Sequence, residues 1–305
     1  MTTVAAVVVR WKGGEEVERC LRSLMDNGPP SLTEIVLVDA GSGDGGGQRL
    51  AQAFPEIQVD LLPENPGFAG AANHGVKATT AEYIFLLNPD TEVHPQALKM
   101  LVASLEKRPD LAGVVPLLEN TDGSSQHRWQ LKDFPTRKDL GLGRSGKPAF
   151  KHRPEHQATV AQPAAAAWLI RRTVWDALGG LDQAFFPAWW EDVDFCLRLC
   201  EMVKDPACAL NETWRVVPQA RVRHAGGSSV ESLGDQAFLE AFYGNLLRFA
   251  ERHDPQHLPA IRRRLRRGLM ARALLKPSRF RAYRGVLRGL DTGREGRVGN
   301  SKLET

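Results

Sequence analysis

The 305-residue chain is 42% hydrophobic and 25% charged, which argues against a disordered polypeptide and points to one large domain or one domain with an appendage. No run of about 18 apolar residues occurs, and the apolar stretch within Met1 to Arg10 is too short for a secretory leader, so the sequence predicts a cytoplasmic chain without a membrane span. The net charge of +4 hides an asymmetry: eleven Arg or Lys and no Asp or Glu lie between Gln256 and Leu290, so an acidic body carries a basic tail.

Thr3 to Val9 is β-branched and Ala-rich and predicts a buried first strand, and Glu15 to Met25 carries Val17, Leu21 and Leu24 at helical spacing. Glu34 to Asp39 is a second apolar strand ending in a carboxylate, which completes a βαβ opening. The glycine-rich run Gly41 to Gly47, where backbone can approach a ligand closely, leads into a helix through Phe54, and Ile57 to Leu62 gives a third strand. A helix is predicted from Ala69 to Ala78. Tyr83 to Leu87 reads as a strand buried on both faces, of the kind found in a parallel sheet. Pro89 ends it, leaving Asp90 at the carboxyl edge where open α/β sheets bind ligands.

A helix over 95–107 and a strand from Ala112 to Leu118 follow. Between about residues 120 and 162 the pattern dissolves into polar, Gly- and Pro-containing sequence, too long for an ordinary connection, and reads as a mobile flap or a local insertion. Ala164 to Ile170 is a strand, Arg172 to Leu178 a short helix stopped by Gly179-Gly180, Asp194 to Met202 a helix, and Trp214 to Val217 and Arg221 to His224 strands. The four cysteines are scattered, which disfavours zinc and suits reduced thiols.

Asp39, Asp90 and the cluster Glu191-Asp192-Val193-Asp194 predict an acidic cleft at one sheet edge. Converging carboxylates are costly unless a cation compensates, and a hard divalent metal, Mg²⁺ or Mn²⁺, bridging a diphosphate would do so. Trp189 and Trp190 cannot both face one core from an extended segment, so at least one is expected to be exposed and to stack on a sugar. Taken by themselves the residues also allow bland readings: Asn88-Pro89-Asp90 as a turn, the acids as a helix cap, and His224 as a structural histidine.

Asp39-x-Gly41-Ser42-x-Asp44-Gly45, Asn65-x-Gly67-Phe68 with Asn73-x-Gly75, Leu87-Asn88-Pro89-Asp90-Thr91, Gly179-Gly180-Leu181-Asp182 and Glu191-Asp192-Val193-Asp194-x-Cys196-x-Arg198 stand in the order found in family 2 inverting glycosyltransferases. The chain resembles that family over about residues 4 to 250, and within it bacterial rhamnosyltransferase-like enzymes of surface-polysaccharide assembly. The resemblance implies an α/β GT-A fold, a Rossmann-like mixed sheet flanked by helices over residues 1–250, with 251–305 as a basic helical appendage. It implies a nucleoside-diphosphate sugar donor (dTDP- or UDP-linked), a glycan acceptor and a divalent metal.

The same resemblance assigns roles. Asp39 would accept from the base N3–H, and Gly41, Gly67, Asn73 and Asn88 would belong to the donor site. Asp90 would ligate the metal with His224 nearby, Asp192 would be the general base, and Glu191 would orient an acceptor stacked on Trp189 or Trp190. Asp194 would cap the following helix. Asn88 stands where the family's Asp-x-Asp motif has its first carboxylate, so metal affinity is expected to be modest. Arg10-Trp11-Lys12 and Ala40 also depart from the family pattern; Trp11 can still stack on a base, and Arg10 or Lys12 can meet a phosphate. Two rival functions stand beside this one: a nucleotidyltransferase, and a non-catalytic binding protein of the same fold.

In the tail, Leu258, Ile261, Leu265, Leu269 and Met270 alternate with arginines at helical spacing, and Phe280, Tyr283, Val286 and Leu287 follow the break at Pro277. The pattern suits a helix on an anionic membrane surface, which would hold the protein peripherally at the inner face, ahead of a helix packed on the acidic body. No base-reading motif accompanies the charge, so nucleic acid is not expected.

Overall fold

Val4–Arg10 (β1) is buried at all seven positions, and the sheet is laid around it. The computed structural model describes residues 2–226 and 233–292. In chain order follow α1 (Glu15–Asn27), β2 (Leu32–Asp39), α2 (Gly46–Ala53), β3 (Gln58–Leu61), α3 (Gly67–Lys77), β4 (Tyr83–Leu87), β5 (Thr91–Val93), α4 (Ala97–Glu106) and β6 (Leu111–Glu119). Short pieces come next: α5 (His127–Gln130), β7 (Leu131–Lys132), α6 (Arg137–Gly141), β8 (Ala158–Val160) and β9 (Gln162–Pro163). Then come β10 (Ala167–Arg171), α7 (Arg172–Leu178), α8 (Glu191–Val203), β11 (Glu212–His224), α9 (Asp235–His253), α10 (Leu258–Leu275) and α11 (Phe280–Thr292).

The main sheet runs β3-β2-β1-β4-β10-β6-β11-β5, with β8 also paired to β11. Its first four strands are parallel; β10 is antiparallel to both β4 and β6, and β11 is parallel to β6. The sheet is therefore mixed, and β4 is not in the all-parallel setting its apolar run suggests: it has a parallel neighbour on one side and an antiparallel one on the other. The carboxyl ends of β1, β2, β4, β6 and β11 nevertheless face one edge. Trp11, Ala40, Asn88, Asn120 and Ala225 all leave their strands there.

Alternation along β4 fixes both faces. Phe85 and Leu87 pack with Val17, Leu21 and Leu24 of α1 and Leu98, Leu101 and Leu105 of α4, while Ile84 and Leu86 pack with α3, α7 and α8. A third apolar cluster joins Trp190 and Val193 to α9, α10 and α11.

Three expectations change. The polar stretch 120–162 is a structured excursion: β7 pairs with β9, β8 pairs with β11, and α6 carries a capping box built by Thr136 and Asp139. Helix α8 begins three residues before Asp194, so Asp194 is not its cap; Trp190 holds that position without a side-chain cap. In the tail, Ile261, Leu265, Leu269, Tyr283, Val286 and Leu290 are buried among α6, α9 and one another and do not face outward.

Candidate active site

Leu87 is the last residue of β4; Asn88 N–H still donates to Ala166 O at 3.0 Å, and Pro89 then turns the chain. Asp90 is buried there, with Oδ2 accepting from Gly226 N–H at 2.9 Å and Oδ1 lying 3.5 Å from His224 Nε2. His224 is the last residue of β11 and is 4% exposed. Its ring stacks on Trp129 at 5.3 Å and 20°, and Nδ1 meets Gln126 Oε1 at 2.9 Å. Burial lowers the imidazole pKa and the Asp90 charge opposes that shift, leaving the ring on the neutral side of its ordinary value. Gly227 and Ser228, which follow shortly after His224 in the chain, lie outside the described residues.

Asp90, His224 and Asn88 line a cavity of 860 Å³ that also contains Asp192. Asp192 keeps part of its surface open to this space, with Oδ1 accepting from Val193 N–H at 2.8 Å in the first turn of α8. Enclosure by protein raises its pKa; the N–H groups of Val193 and Ala165 and the Lys132 charge act the other way. Lys132, contributed by the 120–162 excursion, donates to Ser145 Oγ at 2.8 Å, and burial lowers its own pKa against the pull of Asp192. Arg128 and Arg144 of the same excursion line the cavity too. Sequence reasoning missed Gln126, Lys132 and both arginines; the visible signal was Trp129 among cations in an otherwise polar stretch.

Glu191 is not brought to the cavity. It is 5% exposed, its Oε2 has no hydrogen-bond partner, and burial followed by the Asp192 charge pushes its pKa well above the carboxylate range. As the first residue of α8 it points elsewhere than Asp192, because neighbours on a helix do not share a face.

A second, smaller cavity of 90 Å³ lies between Trp11 and Lys12 on one side and Asn65, Gly67 and Phe68 on the other; Asn88 and Trp189 line both spaces. Gly67 has φ +75°, and a Cβ there would sit 2.8 Å from Pro187 O. Gly41, at φ +65°, passes so close to Glu64 that a Cβ would lie 2.5 Å from its carbonyl carbon, so this turn admits only glycine. Lys12 Nζ sits 4.9 Å over the Trp11 ring.

Asp39 lines neither cavity. Its Oδ2 pairs with Arg10 Nη1, and its Oδ1 accepts from Ser42 N–H at 2.9 Å. Arg10 is fully buried and also holds Asp44 at 2.6 Å, so it binds two motif aspartates together and is not free to meet a phosphate. Asn73 is likewise absent from both cavities: its amide donates to Leu181 O at 2.7 Å and accepts from Leu181 N–H at 3.0 Å. That bond pins the Gly179 to Asp182 turn.

Of the paired tryptophans, Trp190 is 2% exposed and packs on Phe242 and Phe249, so it is core with only an edge in the large cavity. Trp189 is half-buried, edge-on to Phe238. Both have positive φ, 72° and 79°, a conformation that non-glycine residues rarely hold without tertiary support. Asn245 supplies part of that support, donating to Ala188 O at 2.9 Å and Trp189 O at 3.1 Å.

Asp194 is completely buried and ion-paired to Arg198 Nε at 2.7 Å, His253 Nε2 at 2.8 Å and Arg252 Nη1 at 3.1 Å. Burial raises its pKa, but these partners outweigh it and hold the carboxyl below its ordinary value. Arg198 also donates to Leu178 O and Gly180 O. The network ties α7, α8 and α9 together behind Asp192.

The comparisons agree with this architecture. The sequence model of glycosyl transferase family 2 matches residues 6–178, a span that ends before α8. An N-acetylglucosaminyl-diphospho-decaprenol L-rhamnosyltransferase of Mycobacterium tuberculosis is 26% identical over 228 residues, 65% of this chain and 71% of that protein. The succinoglycan biosynthesis protein ExoO of Rhizobium meliloti is 29% identical over 149 residues, 48% of this chain and 41% of its own. Among solved structures, GalNAc-T7 with UDP, GalNAc and Mn²⁺ superposes with a TM-score of 0.60 at 17% identity, covering 80% of this chain and 47% of that one. S. aureus TarS 1-349 gives 0.53 at 14% identity, covering 97% and 92%. The fold is GT-A, and the family model covers more than half of the sequence: the chain belongs to glycosyl transferase family 2 and is a glycosyltransferase.

Proposed function

We propose that the protein is an inverting hexosyltransferase that moves a sugar, rhamnose being our choice, from a dTDP- or UDP-linked donor to a hydroxyl of a lipid-linked glycan during assembly of a bacterial surface polysaccharide. The observation that carries this reading is that one cavity is lined by both Asp192 and the Asp90–His224 pair. The choice of rhamnose rests on the name of the mycobacterial relative. The lipid-linked acceptor draws on the same name and on the basic tail, which would hold the enzyme peripherally at the inner membrane face.

The donor's base stacks on Trp11 in the small cavity, and its diphosphate runs past Asn88 into the large one. The donor set fits a divalent cation only loosely. Among the described residues no three His, Cys, Asp or Glu cluster, so Asp90 and His224 would hold the ion with the diphosphate supplying other oxygens. Such a cation, Mg²⁺ or Mn²⁺, would neutralise charge on the departing diphosphate. Arg128, Lys132 and Arg144 add fixed positive charge in the same space. Asp192 accepts the acceptor hydroxyl's proton as that oxygen bonds to the anomeric carbon and the carbon–phosphate oxygen bond breaks on the other face, so the configuration inverts without a covalent intermediate. Trp189 offers its ring to the acceptor sugar.

A thermal-shift screen of nucleotide sugars, with and without Mn²⁺, tests the reading. A true donor at 100 times its Kd should stabilise by about 2.7 kcal/mol, and its sugar should be transferred or hydrolysed. Pyrophosphate release from a nucleoside triphosphate would instead favour a nucleotidyltransferase, and binding without any turnover a non-catalytic protein.

A further inference from the structure

The apolar faces of α10 and α11 are covered by α6, α9 and each other, so they are not what the basic tail offers to a membrane. What stays uncovered is the corner where α10 ends and α11 begins. Leu274 and Leu275 are 78% and 80% exposed, Met270 one turn earlier is 47% exposed, and Phe280 just after the corner is 43% exposed. Half of the exposed large hydrophobic side chains among the described residues fall in this short stretch, so the exposure is a local patch and not the usual scatter.

Exposed cations flank it along the chain: Arg267, Lys276, Arg281 and Arg284. Arg279 is left out of this set because Asp235 pairs with it at 2.9 Å. No Asp or Glu lies between Gln256 and Leu290 to offset the charge. Bare leucines at a helix end, flanked by cations, match the two layers of an anionic bilayer surface, acyl boundary beneath and charged headgroups above. An RNA contact would use the cations and leave the leucines in water.

The patch is also coupled to the candidate active site. Arg272 Nη2 donates to Leu142 O at 2.6 Å, next to the Gly143–Gly146 loop that lines the Asp192 cavity. Leu274 and Leu275 follow within about 5 Å along the helix axis. The geometry points to the α10–α11 corner as a docking site for an anionic lipid bilayer, holding the cavity rim at the surface from which a lipid-linked acceptor reaches in. This deepens the acceptor reading above and rests on it for its purpose, but not for its test.

Full-length protein should sediment with phosphatidylcholine vesicles containing phosphatidylglycerol, less so as salt rises, and poorly with phosphatidylcholine alone. Leu274→Ser with Leu275→Ser should weaken vesicle binding by about tenfold or more, leaving melting temperature and donor-induced stabilisation unchanged because both side chains are exposed. Lys276→Glu with Arg281→Glu should abolish the preference for the anionic vesicles. Wild-type protein that ignores anionic vesicles, a double-serine variant that sediments as wild type does, or displacement from vesicles by mixed-sequence RNA would each overturn the proposal. Vesicles without acceptor report on this surface alone, so failure of the transferase reading would show separately, as a lack of donor turnover.

Discussion

His224 Nδ1 and Gln126 Oε1 lie 2.9 Å apart, and the other end of the Gln126 amide decides which atom carries the proton. Its Nε2 faces two oxygens, Asn120 Oδ1 at 2.7 Å and His224 O at 2.8 Å, so the amide oxygen is the atom turned to the ring. Nδ1 is therefore the donor, and the Nε2 lone pair of the neutral ring faces Asp90 and Asn88. The Asn88 Nδ2 contact to it is long, 3.4 Å, and a cation would displace it. Partners of this kind fix the tautomer of metal-binding histidines.

Gln126→Leu should accordingly lower Mn²⁺ affinity by about 10- to 100-fold in a titration with UDP or dTDP present. Unchanged affinity would mean that the tautomer is set by something else.

Asp90→Ala should weaken binding of the nucleoside diphosphate chiefly when metal is present, since the proposed contact runs through the cation. Calorimetry with and without Mn²⁺ checks it; the same metal-dependent gain in both proteins would remove Asp90 from the metal site.

The pH profile follows from the burial of the acidic pair. Asp192 must be ionised to act as a base, and its raised pKa places the acid limb of kcat/KM above the ordinary aspartate range, with activity falling as pH drops through it. Lys132 works against that rise, so Lys132→Met should move the limb to higher pH. Glu191 is pushed up by burial and then by the Asp192 charge, and with Oε2 buried and without a hydrogen-bond partner it is the member of the pair suited to stay protonated. Glu191→Gln should therefore preserve turnover. A limb that stays put in Lys132→Met, or loss of activity in Glu191→Gln, would show the charges to be arranged otherwise.

Asp194→Ala tests whether the third acid of the cluster is scaffold. It leaves Arg198, Arg252 and His253 without their common partner. The loss should be about 3 kcal/mol in urea unfolding, the lower end for a broken buried pair because Arg252 is solvent-screened. The folded pKa of Asp194 is depressed, so its contribution is present above the ordinary aspartate value and disappears as pH falls through the lowered one. Wild-type protein should converge on the variant's stability in acid, and a constant gap at all pH values would exclude this linkage.

Much of this was legible in the chain because long, strongly patterned segments leave little choice. Tyr83 to Leu87 and Arg172 to Leu178 are the observed β4 and α7 to the residue, and the ordered motifs name the family. The 120–162 excursion was not legible, since elements of two to five residues carry no period, and with it Gln126 and Lys132 were lost. Asn73 and Asp194 belong to recognisable motifs, yet their partners are Leu181 and His253, 108 and 59 positions away, and local sequence does not show such pairings. In the tail the helical period was read correctly, but a period states that a face is apolar and not what covers it. Here the cover is α6, α9 and the second tail helix.

The central claim is that Asp192 takes the acceptor's proton, and Asp192→Asn tests it most directly. The amide is nearly isosteric and should leave melting temperature and donor binding intact while turnover with the true acceptor falls by at least about 10²-fold, as general-base loss requires. Turnover close to wild type in a folded, donor-binding Asp192→Asn protein would contradict the account.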